Sequence, residues 1–432
     1  MILRDPVHGL VAFETDEERI VEQLMDTPEV QRLRRVRQLG VTSLAFPGAE
    51  HSRFAHAIGA AFVMKQLLVR LRAIHGALPP EQRVGEERGR EALAAAFLHD
   101  LGHGPLSHLF EDAIPGAPAH ETWTERVVLD PSTGVNRVLS AIDGSLPARV
   151  VDLVHGRHEL AYLARAVSGE FDVDRCDYLL RDAHATGVRY GVYDLDWLLR
   201  SLRFAPVQGA DAAAAPALAI DGAKGLPAIE AFIIARLFMF QQVYLHKATR
   251  AAEWMIRTIL ARAVGVLRAG GSLDGVPAAV AAGARGEPIA LGDYLELDDG
   301  VLWGAMHAWE TAGDRPLADL ARRIRARRLF KTLELFGEHA TPQGRERALL
   351  VARDVARARG LDPEAYVGID VASDEPFGGE AEPLMVVYAK GPARPLHEVS
   401  FLLGRLSGQA LSRVRLVLAA ELREPITHAL GL

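Results

Sequence analysis

Hydrophobic positions recur mainly at helical spacing from about residue 15 to about residue 335, while short alternating runs occupy the two ends. Near the start, Asp5-Pro6-Val7-His8-Gly9 predicts a turn, followed by a short β-prone piece over 10–13. Thr15 is placed to cap a helix with an acidic first turn (Asp16, Glu17, Glu18), as the helix dipole favours. Thr27-Pro28 predicts a second helix that carries Gln31, Arg34 and Gln38 and stops at Gly40. After a loop over 46–49, a helix from about His51 puts Arg53 and His56 on one face. An apolar helix continues over 60–75, and 76–90 reads as a surface loop. The run over 93–98 reads as a buried helix that delivers His99 and Asp100. A Pro/Gly-rich loop over 113–123 holds His120, and amphipathic helices follow. Asp174, Tyr178 and Asp182 lie at i, i+4 and i+8, so one helix face presents two carboxylates and a phenol. A hairpin over 201–224 with an Ala-rich loop precedes one long helix over 226–268, on which Arg236, Phe240 and Tyr244 share a face. Further helices run to about 330. From about 365 the pattern predicts strands at 366–370, 383–388 and 414–418 and a helix over 400–406.

The fold class is therefore mainly α, with a small α+β part at the C-terminus. Its 432 residues suffice for a large helical domain and a smaller unit. The expected division is 1–335, with a core at about 45–200 and a helical extension at 225–335, and then 336–432. A net charge of −7 gives no overall basic field, so nucleic acid is not expected as the primary partner. The basic runs over 32–37 and 322–331 read alone as solvated helix faces, but they can hold phosphates. The single cysteine, Cys176, excludes an intramolecular disulfide framework and suits a reducing cytosol. No signal-peptide pattern opens the chain, and no apolar run is read as reaching the roughly 20 residues of a membrane helix. The expectation is a cytoplasmic protein with no membrane partner.

One stretch changes this picture. Residues 97–108 hold His99, Asp100, His103 and His108, with two glycines that let backbone approach a ligand. A core does not bury two imidazoles and a carboxylate together without compensation. His56, the His99-Asp100 pair and Asp174 come from three separate helical segments, as a metal site inside a helical bundle requires. Two neutral imidazoles and two carboxylates leave coordination positions open, which is the layout of a catalytic site. The set suits Fe, Mn, Zn, Ni or Mg without choosing among them. Arg53, beside His56, can hold a phosphate, and His103 and His108 titrate where protons can be moved.

The ordered motifs Asp5-Pro-Val-His-Gly9, Gln31-Arg-Leu-Arg34, Gln38-Leu-Gly40, Arg53-Phe-Ala-His56, 99–108, Asp172-Val-Asp174, Tyr244-Leu-His-Lys247 and Arg327-Arg-Leu-Phe-Lys331 resemble those of the HD-domain phosphohydrolases. Within that family they are most similar to the deoxynucleoside triphosphate (dNTP) triphosphohydrolases. The resemblance implies that His56, His99, Asp100 and Asp174 hold a divalent metal, with Mg on the substrate phosphates. It implies that a dNTP is split into deoxynucleoside and triphosphate, with His108 catalytic and His103, His120 and Arg53 in support. Gln38, Leu39, Arg53, Arg175, Tyr178, Asp182, Arg236 and Tyr244 match substrate-contacting positions. Arg175 stands where the family pattern has lysine, and Phe240 where it has histidine. Asp26, Gln31, Arg34, Phe46, His246, Lys247, Arg327 and Lys331 match positions that hold an activating GTP or dNTP between subunits of a dimer or tetramer. The alternatives are hydrolysis of another nucleotide or phosphate ester, or a silent nucleotide-sensing or nucleic-acid-binding module.

Overall fold

The computed structural model describes residues 1–169, 171–205, 216–375, 377 and 384–432. The chain opens as an antiparallel hairpin, Ile2–Asp5 with Gly9–Ala12, in which Asp5 faces Gly9. Asp5 makes the turn itself: its Oδ1 accepts from the Val7 and His8 backbone N–H groups, each at 2.9 Å. Three helices form the centre of the first half: Arg53–Ile74, Glu86–Leu98 and Val173–Thr186. Ser52 caps the first through the Ala55 N–H, and Asp172 caps the third through the Arg175 N–H at 2.7 Å.

Several predicted elements differ, each for a local reason. The helix expected from Thr15 begins at Arg19, because the Glu18 carboxylate takes the Glu14 N–H (2.7 Å), the Thr15 N–H (3.3 Å) and Lys65 (3.0 Å). The helix from Pro28 does not reach Gly40. It ends at Arg32, a 3₁₀ turn covers Leu33–Arg35, and Val36 is extended. The backbone then pairs across to the next helix: Gln38 N–H donates to His51 (3.0 Å) and Arg53 N–H to Val36 (2.9 Å). Gln38 thus lies in the turn that follows the Arg37–Ser52 bridge, not on a helix. The helix expected from about 91 starts at Glu86, inside the expected loop, and His120 opens the His120–Leu129 helix instead of lying in one.

The long helix over 226–268 is broken. Leu226–Met239 is α-helical, Phe240–Tyr244 is a π-helical turn, and a new helix, Lys247–Arg268, starts after His246, whose Nδ1 accepts from the Ala248 N–H. The stretch Leu226–Tyr244 is long and apolar enough to span a membrane by length and composition, against expectation. Ile229, Phe232, Ile233 and Met239 from it are buried in the protein core.

The C-terminal strands do not all share one sheet. Val367–Asp374 and Lys331–Glu334 flank Leu411–Leu418, both antiparallel, with Val367 and Lys331 opposite Leu418. Met385–Val387 instead runs parallel to Leu218–Asp221 of the predicted hairpin, in a sheet with Leu202–Phe204 and Arg394–Pro395. The hairpin's loop over 206–215 and the strand start at 383 lie outside the described residues. The helix expected over 400–406 is Phe401–Leu406, capped by Ser400.

Two hydrophobic cores result among the described residues. The first packs the three central helices with Leu198, Ile229 and Phe232. The second gathers Met255, Ile256, Leu260, Trp309, Leu320 and Leu416, and it also takes Leu106, Leu109, Phe110 and Trp123. The segment after the His99-Asp100 pair therefore crosses from one core to the other.

Gly59 sits where the Arg53–Ile74 helix meets Val173–Thr186. A methyl there would lie 1.9 Å from Asp177 Oδ1 and 2.3 Å from Arg181 Nη2. Gly59→Ala is expected to destabilise the fold by about 3 kcal/mol. A thermal midpoint unchanged from the parent would contradict the close approach.

Candidate active site

His56 lies in the first turn of the Arg53–Ile74 helix, His99 and Asp100 just beyond Glu86–Leu98, and Asp174 in the first turn of Val173–Thr186. His56 Nε2 is 3.0 Å and His99 Nε2 3.4 Å from Asp174 Oδ1. Asp100 lies slightly farther, 3.7 Å from His56 Nε2 and 3.5 Å from His99 Nε2. The other ring nitrogens are committed: His56 Nδ1 donates to Asp177 Oδ2 at 2.8 Å, and His99 Nδ1 to the Ala96 carbonyl at 2.9 Å. Those bonds turn the two Nε2 lone pairs toward each other, 3.3 Å apart. Converging lone pairs with carboxylates alongside are the donor set a divalent cation requires, and the residues fit one. Burial opposes a charged His56, but Asp174 and Asp177 raise it to about 10, so a metal ion must displace a proton there.

Asp177 orients His56. Its Oδ1 also accepts from His8 Nε2 (2.6 Å) and Arg181 Nη2 (2.8 Å), and its Oδ2 from Arg181 Nε (2.8 Å). Arg181 Nη1 continues to Asp5 (2.8 Å) in the hairpin turn. Burial works against the Asp177 carboxylate, yet Arg181 and the two imidazoles hold it well below its ordinary range.

The segment after Asp100 builds a second polar wall. Arg53 donates to Asp100 through one Nη and to Ser107 Oγ through the other. The rings of His103 and His120 are 3.8 Å apart, and His108 lies 5.2 Å and 5.1 Å from them. His108 Nδ1 donates to Glu111 Oε1 at 2.5 Å, and Glu111 Oε2 accepts the His120 N–H at 2.7 Å. Burial and the Arg53 charge push His103 well below its ordinary pKa, so it is neutral. Gly102 cannot carry a side chain, since a Cβ would lie 2.1 Å from the His120 carbonyl oxygen.

At the far end, Asp182 is held by His51 Nε2 (2.7 Å) and by the Tyr244 hydroxyl (2.8 Å). Phe240 and Tyr178 stand against the Tyr244 ring, with centroids 5.0 Å and 6.3 Å away. Gln38 Oε1 is buried with no hydrogen-bond partner. One cleft of about 460 Å³ joins these parts, touching Gln38, Leu39, Arg53, Asp100, His103, His108, His120, Asp174, Tyr178, Asp182 and Tyr244. Two expected substrate contacts do not line it. Arg175 turns back onto Asp172 and the Gly169 carbonyl, and Arg236 lies over the Phe240 ring, 5.6 Å from its centroid.

The residues matched to an activator site form two groups. Gln31 bonds the Met25 carbonyl (2.8 Å) and receives Arg34 (2.8 Å), beside exposed Asp26. Phe46 and His246 rings meet at 5.1 Å, next to exposed Lys247, and Arg327 bonds the Leu44 carbonyl (2.8 Å). Lys331 is exposed at the start of its strand. His8, His51, Glu111, Asp177 and Asp299 take part in or around the site, though no role was read for them from sequence. The available signals were the Asp5–Gly9 and Asp177-Tyr178 motifs, matched to the family without a role for His8 or Asp177.

The sequence profile of the HD domain family matches residues 53–182. The uncharacterized protein YwfO of Bacillus subtilis is 32% identical over 415 residues, covering 94% of this chain and 89% of that protein. Human deoxynucleoside triphosphate triphosphohydrolase SAMHD1 is 31% identical over 218 residues, 44% of this chain, which matches only 34% of the human protein's length. A crystal structure of a phosphohydrolase from Bacteroides thetaiotaomicron superposes with a TM-score of 0.81 at 27% identity, over 97% of this chain and 99% of the other.

Because the Asp177 carboxyl is lowered from 3.8 by folding, its stabilisation is fully present above ordinary carboxylate pKa values and is lost as pH falls through the folded value. Asp177→Asn is expected to destabilise the protein by about 3–5 kcal/mol at pH 7, since Arg181 keeps only Asp5. Thermal midpoints of parent and variant should begin to converge only as pH falls below about 4. Equal midpoints at pH 7 would rule the arrangement out.

Proposed function

The chain belongs to the HD-domain phosphohydrolase family, and from that premise we propose that it is a metal-dependent dNTP triphosphohydrolase. The observation that carries this reading is the continuity of the cleft. One space runs from Asp100 and Asp174, the two carboxylates of the donor set, past the Arg53 and histidine wall to the Asp182–Tyr244 end. A metal bound by the four ligands supplies an acidified water or a polarised phosphoryl oxygen. Arg53 holds a phosphate beside it. His108, steadied through Nδ1 by Glu111, has Nε2 left to give or take the proton at the leaving oxygen. His103, kept neutral, donates a hydrogen bond without adding charge.

At the other end the Asp182 carboxylate and the unpartnered Gln38 Oε1 are acceptors for a sugar 3′-hydroxyl. Tyr244, pinned to Asp182, packs under C2′ and leaves no room for a 2′-hydroxyl, which favours deoxyribose. Arg175 and Arg236 reach the triphosphate by leaving Asp172 and Phe240, with Mg on the phosphates. The two groups around Gln31–Arg34 and Phe46–His246 take an activating GTP or dNTP between subunits of a homo-oligomer.

The test is a screen of each dNTP and rNTP with Mg²⁺, Mn²⁺ and Fe²⁺, with products resolved. Deoxynucleoside and intact triphosphate are expected, with a lag relieved by GTP or dGTP. Release of orthophosphate or pyrophosphate overturns the reading. Asp174→Ala should lose bound metal and at least about a hundredfold in activity.

A further inference from the structure

We infer that Asp299 is a positioning residue of this site, one that fixes the shape of the turn between the metal centre and His108. It lies far along the chain, at the start of the Asp299–Ala308 helix, and is 3% exposed. Its Oδ1 accepts the Leu106 N–H at 2.8 Å, and its Oδ2 accepts the Arg37 N–H at 3.1 Å. One carboxylate therefore ties together two separate walls of the cleft.

Both tied segments are unusual. Leu106 and Ser107 have φ of +56° and +64°, the left-handed region that side chains other than glycine avoid. Opposite them, Gly40 (φ +50°) comes so close that a Cβ would be 3.1 Å from the Leu106 carbonyl oxygen. Such a pair persists only where its surroundings over-determine it. The surroundings here are specific. Tyr294 donates to the Gly102 carbonyl (2.6 Å), Arg32 to the His103 carbonyl (2.8 Å), and Thr124 Oγ1 accepts the Gly102 N–H (2.9 Å). Asp299 alone among these grips the left-handed pair itself. The neighbouring Asp298 caps the same helix through the Val301 N–H (3.0 Å) and holds Arg35 at 2.5 Å, so the Arg35–Arg37 strip is pinned twice.

The consequence reaches the chemistry through Ser107, whose Oγ accepts from Arg53. With Leu106 and Ser107 left-handed, Arg53 is shared between Asp100 and Ser107, and His108 follows directly into the cleft. If the pair relaxes, Ser107 Oγ swings away, Arg53 keeps only Asp100, and His108 is displaced. The four metal ligands are untouched by this change. Asn at 299 offers one acceptor oxygen and an NH₂ group, so it satisfies one of the two N–H donors and opposes the other.

The inference rests on reading the cleft as a phosphohydrolase site, and its test separates the two. In the full-length protein, hydrogen exchange of peptides spanning 103–110 is followed by mass spectrometry, which needs no substrate. In the parent this turn should be protected despite being a loop, and Asp299→Asn should speed its exchange by about tenfold or more while peptides over 53–74 keep their rates. Rapid exchange in the parent, or unchanged exchange in the variant, overturns the inference. The parent measurement stands even if the variant fails to fold.

Activity supplies the second arm. Asp299→Asn and Ser107→Ala should each lower kcat/KM for the dNTP by about tenfold with bound metal unchanged, and the double variant should be no worse than either alone. Losses that multiply to about a hundredfold would mean that Asp299 does not act through Ser107. A parent that hydrolyses no dNTP overturns the proposed function, and the exchange arm then decides on Asp299 by itself.

Discussion

Asp177 is fully buried, and each of its oxygens accepts two hydrogen bonds. Taking a carboxylate out of water costs several kcal/mol, so it is tolerable only with this full set of partners. Those partners come from three places: the N-terminal hairpin turn, the Arg53–Ile74 helix and the carboxylate's own helix. Each is therefore fixed relative to the others. The same bond that satisfies the carboxylate selects the tautomer of His56 and turns its Nε2 inward. Gly59 follows from this, since only a residue without Cβ lets the ion pair lie against the helix.

The metal-type centre thus belongs wholly to the first core, while the histidine wall is anchored in the second through Leu109, Phe110 and Trp123. The cleft is the seam between them. Its floor near Tyr244 is a second crossing, where the π-turn over Phe240–Tyr244 carries the chain between cores. The C-terminal sheet braces that crossing. Arg415 donates to the Leu245 carbonyl at 2.9 Å, and Arg250 bonds the buried Asp370 at 3.1 Å. Cleft geometry is set by how two cores register, so strands 120 and 170 residues further along the chain bear on it.

Local chemistry was legible in the sequence, and long-range chemistry was not. His56, His99, Asp100 and Asp174 stand out because each residue type already implies ligation and the segments carrying them read as helices. Gln38 was assigned to the wrong element because nothing local announces that Val36 pairs with the next helix. The break at 240 is hidden because the apolar pattern runs through it, and only the polar His246-Lys247 pair hints at a new start. Arg175 follows the pattern of a phosphate contact, yet the unexposed carboxylate three residues earlier claims it. His8, Asp177 and Asp299 act across separations of 169, 121 and 193 residues, which no spacing rule reaches.

The cluster of His103, His108 and His120 has ligand atoms close enough to hold a cation of its own, which would make the centre dinuclear. Electrostatics argues for an anion instead. The Arg53 guanidinium, bound to Asp100 and Ser107, is close enough to depress His103. A second cation would face that guanidinium, and two of the carboxylates against the cluster are already committed: Asp100, 3.2 Å from His103 Nδ1, to Arg53, and Glu111 to His108 and the His120 N–H, while Glu121 lies 3.4 Å from His120 Nε2. A polyphosphate meets the guanidinium and the imidazole N–H groups favourably, because both are donors. The two clusters differ in their charged neighbours: Asp174 and Asp177 lie against His56, while the Arg53 guanidinium acts on His103. Asp100, 3.5 Å from His99 Nε2 and bonded to Arg53, joins the two clusters.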